Sequence, residues 1–169
     1  MQKVLNRLAQ AHGMDDTVWA RHANPWSGYT RIPILPLMAL AIWARVWIGW
    51  WCLLPILALV VWAKINPNAF PRPASTRSWM SRAVMGERVL LNAAAVPIPA
   101  HHSRAARILT LVSILGLPPL GFGLWALHLW AVLAGLVVVI GGKLWFLDRM
   151  VWLYDDMARD NPGYRDWLR

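Results

Sequence analysis

The side chains of this sequence that are best suited to chemistry are carboxylates and imidazoles that lie beside its long apolar runs. At a boundary between water and lipid, such groups can bind a divalent transition metal or act as acid and base on a lipid headgroup. The predicted metal ligands are His22, Glu87, His101, His102, Asp148 and Asp155. In an enzyme, the catalytic carboxylates would be Glu87, Asp148 and Asp155.

Each of these candidates also has a structural interpretation. Asp148 and Asp155 are seven residues apart and share one face of a helix, where arginines such as Arg149 can pair with them. Glu87 lies on an apolar helix face, which calls for a cationic partner or a function. The sequence contains no HExxH spacing and no set of histidine boxes. Ion pairs and a metal site therefore remain alternatives.

Two further residues lie inside apolar runs. His128 is the candidate cofactor ligand or proton relay, although a lone histidine in a membrane helix is more often hydrogen-bonded to the backbone. Cys52 is the single cysteine, so the chain forms no intramolecular disulfide and carries no CxxC motif.

The sequence is also rich in tryptophan, with 13 residues, which favours anchoring at membrane interfaces.

Composition indicates a membrane protein. Of the 169 residues, 58% are hydrophobic and 15% are charged, and the mean hydropathy is +0.41, which is too apolar for an ordinary soluble domain. The net charge of +9 comes from basic residues beside apolar runs. Attraction to the lipid bilayer and its anionic headgroups explains them, and no nucleic-acid partner is expected.

Two apolar blocks, residues 32–65 and residues 105–142, are each too long for one crossing of a hydrocarbon core of roughly 30 Å. Turns are predicted near Arg45 to Trp51 in the first block and over residues 116–123 in the second. The last span continues as one helix over residues 124–160 that extends into water. The predicted fold is all-α: a polytopic membrane protein with four transmembrane helices in two hairpins plus cytoplasmic interfacial helices.

Three polar segments, residues 1–31, 66–104 and 143–169, flank these hairpins within a single membrane domain. Residues 1–13 predict an amphipathic helix, and Asp15 or Asp16 predicts the start of a second, which ends near His22. Ser75 or Thr76 is expected to cap a helix that lies on the membrane surface. Its predicted apolar face consists of Met80, Ala83, Val84, Leu91 and Ala94.

The distribution of positive charge predicts topology. Lysines and arginines cluster before the first span, between the second and third, and after the fourth, and only Arg45 is left for the opposite side. By the positive-inside rule, both termini and the central segment are cytoplasmic. The expected location is the inner membrane of a prokaryote, with several passes.

Four strings carry a resemblance to a known family. They are HANPWS at residues 22–27, the pair Asn66-Pro67 followed by Phe70-Pro71, KLWFLDRMVWLY at residues 143–154, and NPGYRDW at residues 161–167. They resemble strings of a family of small prokaryotic four-span membrane proteins of unknown function. The resemblance covers the chain from His22 to Trp167 and implies an integral membrane protein without implying an activity.

The sequence favours a non-enzymatic membrane subunit or scaffold with a cytoplasmic interaction surface, whose partner is another protein or a second copy of the chain. The alternative is a membrane-embedded, metal-dependent enzyme that acts on a lipid-like or small hydrophobic substrate at the cytoplasmic face. A channel or transporter is a third hypothesis. It would have to be an oligomer, because the spans contain too few polar residues for one chain to line a pore.

Overall fold

A computed structural model describes residues 16–168, and these residues form helices and no strand. The all-α prediction is confirmed, while the helix predicted over residues 1–13 lies outside the described residues. In chain order the helices are α1 (Asp16–His22), α2 (Pro25–Tyr29), α3 (Ile34–Trp43), α4 (Arg45–Ile48), a 3₁₀ turn (Gly49–Cys52), α5 (Leu53–Ala69), α6 (Trp79–Leu91), α7 (Ala100–Leu115), α8 (Leu117–Ala126), α9 (Leu129–Asp160) and α10 (Pro162–Arg165).

The first apolar block folds back on itself, and the turn predicted near Arg45 to Trp51 is confirmed. Gly49 has a φ of 55°, in the left-handed region that glycine adopts without strain. After the turn, α5 packs against α3. Its C-terminal part returns to α2, where the Asn66 side chain is hydrogen-bonded to Ser27 and Thr30.

The turn predicted over residues 116–123 is wrong, because α8 occupies most of this segment. Its two prolines fall in the first turn of α8, where the missing N–H removes no helical hydrogen bond. The chain turns instead at Leu127, which has a φ of 55°, and α9 begins at Leu129 rather than Leu124. At Gly135 the helices α8 and α9 lie so close that a Cβ would be 2.6 Å from the Leu120 nitrogen.

Helix α6 is buried against α9, so the prediction that its apolar face lies on the membrane is wrong. Met80 and Ala83 pack against Leu147 and Val151 of α9. The helix also begins later than predicted: its cap is Ser78, whose Oγ accepts a hydrogen bond from the Ser81 N–H at 3.1 Å, rather than Ser75 or Thr76. Of the predicted apolar residues, Met80, Ala83 and Val84 are buried, whereas Ala94 is exposed and lies beyond the end of the helix.

Among residues 16–168, three helical segments are long and apolar enough to cross a membrane, judged by length and composition: Pro25–Ala69, Ala100–Ala126 and Leu129–Asp160. Exposed tryptophans, including Trp50 and Trp125, lie near the turns of the two apolar blocks. Arg45 joins these turns by donating hydrogen bonds to the carbonyl oxygens of Leu124 and Trp125, near the end of α8. The two blocks therefore meet at one end of the molecule.

Candidate functional site

The predicted site residues do not converge on one centre. His22 and Glu87 line a common cavity with two cations. His101 and His102 form a separate cluster with Asp156. Asp148 and Asp155 are each paired with an arginine. His128 lies at the turn before α9, where its Nδ1 accepts a hydrogen bond from the Ala131 N–H at 3.2 Å and caps the helix.

His22 is 3% exposed and is held at both ring nitrogens. Nη1 of Arg31 lies 3.1 Å from Nε2 of His22, and Nδ1 of His22 lies 2.7 Å from the Ser27 hydroxyl oxygen. Because a guanidinium can only donate, Nε2 must be the acceptor. The proton of the neutral ring is therefore assigned to Nδ1, which donates to Ser27.

From Ser27 the hydrogen bonds continue through buried groups. The Ser27 hydroxyl donates to Oδ1 of Asn66 at 2.8 Å, and Nδ2 of Asn66 donates to the Thr30 hydroxyl at 2.9 Å. The Thr30 hydroxyl donates to the Trp26 carbonyl at 2.6 Å. Asn66 is fully buried, so this chain of bonds compensates the cost of removing its amide from water.

The same region brings together two of the strings that carried the family resemblance, residues 22–27 and the pair Asn66-Pro67 followed by Phe70-Pro71. Asn24 caps α2 by accepting a hydrogen bond from the Trp26 N–H at 3.0 Å. Its Nδ2 donates to the Pro71 carbonyl at 3.1 Å. Residues 22–27 thus contact both Asn66 and Pro71. Sequence reasoning noted these strings but did not predict that their polar side chains form one network.

Glu87 lies across the cavity from this network, on α6. Its Oε1 accepts a hydrogen bond from Nζ of Lys143 on α9 at 2.6 Å, and its side chain is 23% exposed. Burial alone would raise the pKa of Glu87, but the charge and the hydrogen bond of Lys143 outweigh it, so the pKa is lowered. Glu87 is therefore an ionised partner of Lys143 at neutral pH.

The pKa of His22 is also shifted. Burial lowers it from 6.5 to about 4, the Arg31 and Lys143 charges act in the same direction, and Glu87 opposes them. His22 is therefore neutral at pH 7, in agreement with its acceptor role toward Arg31. A neutral imidazole is also the form that ligates metals, but Nε2 and Nδ1 are both engaged here.

These groups surround a cavity of about 200 Å³. Arg31, Lys143, Glu87 and His22 form its polar part. The rest of the lining is largely apolar and comprises Gly28, Ile32, Leu35, Met80, Val84, Val139, Ile140, Leu144 and Leu147. Arg31 was not predicted as a site residue, although a cation immediately before an apolar block is a sequence signal for a group held at a membrane boundary.

The two aspartates predicted as catalytic carboxylates are bound to cations. Oδ2 of Asp155 accepts from Arg82 of α6 at 2.9 Å. Asp148 accepts from Arg149 at 2.9 Å and from the Trp79 indole N–H at 3.3 Å. These contacts, with the Glu87 pair, tie α6 to α9. A second cavity, of about 230 Å³, lies beside α1 and α6, and two of its charged residues, Asp16 and Arg88, pair with each other.

The histidine cluster lies where α7 begins beside the C-terminal part of α9. Nε2 of His102 lies 2.9 Å from Oδ2 of Asp156, and the His101 and His102 ring centroids are 4.1 Å apart. One ligand atom from each of the three residues lies within 4.8 Å of the others. His102 is buried and His101 is exposed, while Oδ1 of Asp156 lies 3.6 Å from an Arg159 nitrogen.

Comparison with known proteins agrees with the resemblance seen in the sequence. The sequence model of one family, described as Family of unknown function (DUF6653), matches residues 3–167. The chain belongs to this family. None of the curated proteins and none of the solved structures matches the chain.

Membership in DUF6653 confirms the predicted relationship to a family of unknown function. The match includes all the strings that carried the resemblance and the polar residues around both clusters, since these lie between His22 and Trp167. The description of DUF6653 names no activity.

Proposed function

We propose that this chain is a multi-pass integral membrane protein that acts as a non-enzymatic subunit or scaffold. The observation that carries this proposal is the engagement of its predicted catalytic carboxylates. Glu87, Asp148 and Asp155 each pair with a cation at 2.6–2.9 Å. Two of these pairs join α6 to α9 and stabilise the fold, which leaves those carboxylates as structural partners rather than as a free acid and base.

The proposed topology has four crossings, with both termini in the cytoplasm of a prokaryote. The turn at Gly49 and the return of α5 to α2 support two crossings by the Pro25–Ala69 segment. Segments Ala100–Ala126 and Leu129–Asp160 supply the other two. The turns carry exposed tryptophans and Arg45, whereas cations of the described residues such as Arg72, Arg77 and Arg104 lie away from these turns, which supports the orientation given by the positive-inside rule.

The interaction surface of this proposal is the basic, cytoplasmic side. Exposed arginines there include Arg72, Arg77, Arg104 and Arg107, and their charge favours anionic lipid headgroups and an acidic surface on a protein partner. Since attraction to anionic lipid is worth about 1 kcal/mol for each basic residue near the surface, the four together are enough to hold this side against the membrane.

Cysteine labelling in intact cells tests the topology. In a Cys52→Ser background, Trp51→Cys places a thiol at the first turn and Arg104→Cys places one at the start of α7. A membrane-impermeant thiol reagent is expected to label Trp51→Cys in intact cells and Arg104→Cys only after lysis. Labelling of both from the same side would refute the four-crossing proposal.

A second candidate function, a metal-dependent membrane enzyme, is favoured by one observation, the cluster of His101, His102 and Asp156. Two imidazoles and a carboxylate are a common ligand set for divalent transition metals and leave positions open for substrate. Elemental analysis of the purified protein tests it. A stoichiometric metal that is lost in His102→Gln but kept in the matched control His128→Gln would favour the enzyme. Absence of metal from the wild-type protein would count against it.

A further inference from the structure

The cavity between α1, α3, α6 and α9 has chemically different parts along its length. Arg31 and Lys143 supply cations at one level. Leu35 follows Arg31 by four residues, and Val139 precedes Lys143 by four residues. Both therefore lie about one helical turn further into the candidate spans Pro25–Ala69 and Leu129–Asp160 than the two cations do. Leu35, Val139 and Ile140 are partly exposed, so the cavity opens on the side of the bundle between α3 and α9.

Arg31 retains unused hydrogen-bonding capacity in this cavity. Among residues 16–168 its guanidinium makes one hydrogen bond, from Nη1 to His22, and no ion pair within 4.0 Å. A guanidinium has five N–H donors in a planar fork, so most of them are available to a ligand. His22 fixes the orientation of Arg31 without neutralising its charge.

The charges around the cavity leave one positive charge in excess. Arg31 and Lys143 are cationic and Glu87 is anionic, while His22 is neutral. Glu87 engages Lys143 at 2.6 Å, and the Lys143 side chain is still 53% exposed. An anion in the cavity can therefore take its main bonds from Arg31 and share Lys143 with Glu87.

We propose that this cavity binds the phosphate headgroup of a membrane amphiphile, with its acyl chain leaving the cavity past Leu35, Val139 and Ile140. The forked donors of Arg31 match phosphate oxygens. The volume of about 200 Å³ is smaller than that of typical small-molecule pockets, so it encloses the headgroup and first carbons and leaves the chain in lipid. Only the course of the chain rests on the membrane location proposed above.

Binding to purified protein in an uncharged detergent tests this proposal independently of topology. The probes are oleoyl lysophosphatidate, inorganic phosphate and monooleoylglycerol, which separate headgroup and chain from headgroup alone and chain alone. Lysophosphatidate is expected to bind at least tenfold more tightly than either of the others. Equal binding of inorganic phosphate would overturn the lipid as the ligand, and equal binding of monooleoylglycerol would overturn the phosphate site.

Two variants and one matched control locate the site. Arg31→Gln removes the guanidinium and is expected to weaken lysophosphatidate binding at least tenfold, while Leu35→Trp fills the apolar part and weakens it without changing a charge. Lys64→Gln removes an exposed cation outside the cavity and is expected to leave binding unchanged.

The thermal midpoint of each variant shows whether it is folded. If Arg31→Gln does not fold, Leu35→Trp still tests the cavity. Wild-type binding by the folded Leu35→Trp variant, or an equal loss in Lys64→Gln, would overturn the proposal.

Discussion

The substitution Gly86→Ala is expected to separate the two helices that hold the candidate site. A Cβ at position 86 would lie 1.9 Å from the Met150 carbonyl oxygen, whereas ordinary contacts begin at 3.4 Å. The difference, 3.4 minus 1.9, means that α6 and α9 must move apart by about 1.5 Å at this point. Because the obstacle is backbone rather than the end of a flexible side chain, rotamer changes cannot relieve it.

The magnitude follows from what this crossing holds together. Met80 and Ala83 on one side of Gly86, and Val89 and Leu90 on the other, are packed in the core between these helices. Overpacking of a tight core costs about 1–3 kcal/mol and occasionally more. We expect a loss of about 3 kcal/mol, which for a chain of this size lowers the unfolding midpoint by about 6–12 °C.

Thermal unfolding in detergent, followed by tryptophan fluorescence, measures this effect. Gly141→Ala on α9 is the matched control, because a Cβ there meets no atom within 4 Å and alanine favours a helix. The control is expected to keep or raise the midpoint. A Gly86→Ala protein with a wild-type midpoint would show that the close crossing of α6 and α9 is wrong.

Three further predictions follow from the site and the turns. Glu87→Gln frees Lys143 for an anion, so lysophosphatidate affinity measured by titration should rise several-fold, whereas a fall in a folded protein would contradict the proposed charge balance. His22 has a folded pKa of about 4 against an ordinary value of 6.5, so the unfolded chain binds a proton between these values that the folded chain does not. The free energy of unfolding should therefore fall by up to about 3 kcal/mol as the pH drops through that window, and His22→Gln should reduce this slope in unfolding titrations; an unchanged slope would contradict the buried neutral histidine. Leu127→Gly should raise the unfolding midpoint, since it relieves about 1 kcal/mol of left-handed strain at φ 55°, and a lowered midpoint would place the turn elsewhere.

The parts of the fold that depend on local patterns could be predicted from the sequence. Hydropathy and helical rhythm located most of α9, and the excess length of the first apolar block predicted its turn near Arg45 to Trp51, where Gly49 has a left-handed φ. The second turn was misplaced because Pro118 and Pro119 look like helix breakers, although in the first turn of α8 they are compatible with a helix. A left-handed Leu127 leaves no comparable sequence signal.

The site depends on tertiary placement, which local patterns do not specify. Glu87 meets Lys143 across 56 positions only because α6 crosses α9 closely at Gly86. A single apolar face on α6 gave no indication that another helix, rather than lipid, would cover it. The carboxylates and imidazoles therefore looked like one group in the sequence, whereas the helix crossing divides them among separate partners.

The histidine at position 22 explains why the cavity keeps a cation available. Its neutral ring presents an acceptor to Arg31 on one side and a donor to Ser27 on the other. A carboxylate in its place would neutralise Arg31, and a protonated imidazole would turn a second N–H toward the guanidinium. Because Ser27 is fixed in turn by the buried Asn66, the ring is held in one orientation before any ligand arrives. The polar network thus orients the guanidinium and, within residues 16–168, leaves it without an ion pair, the preorganised state that an anion site requires.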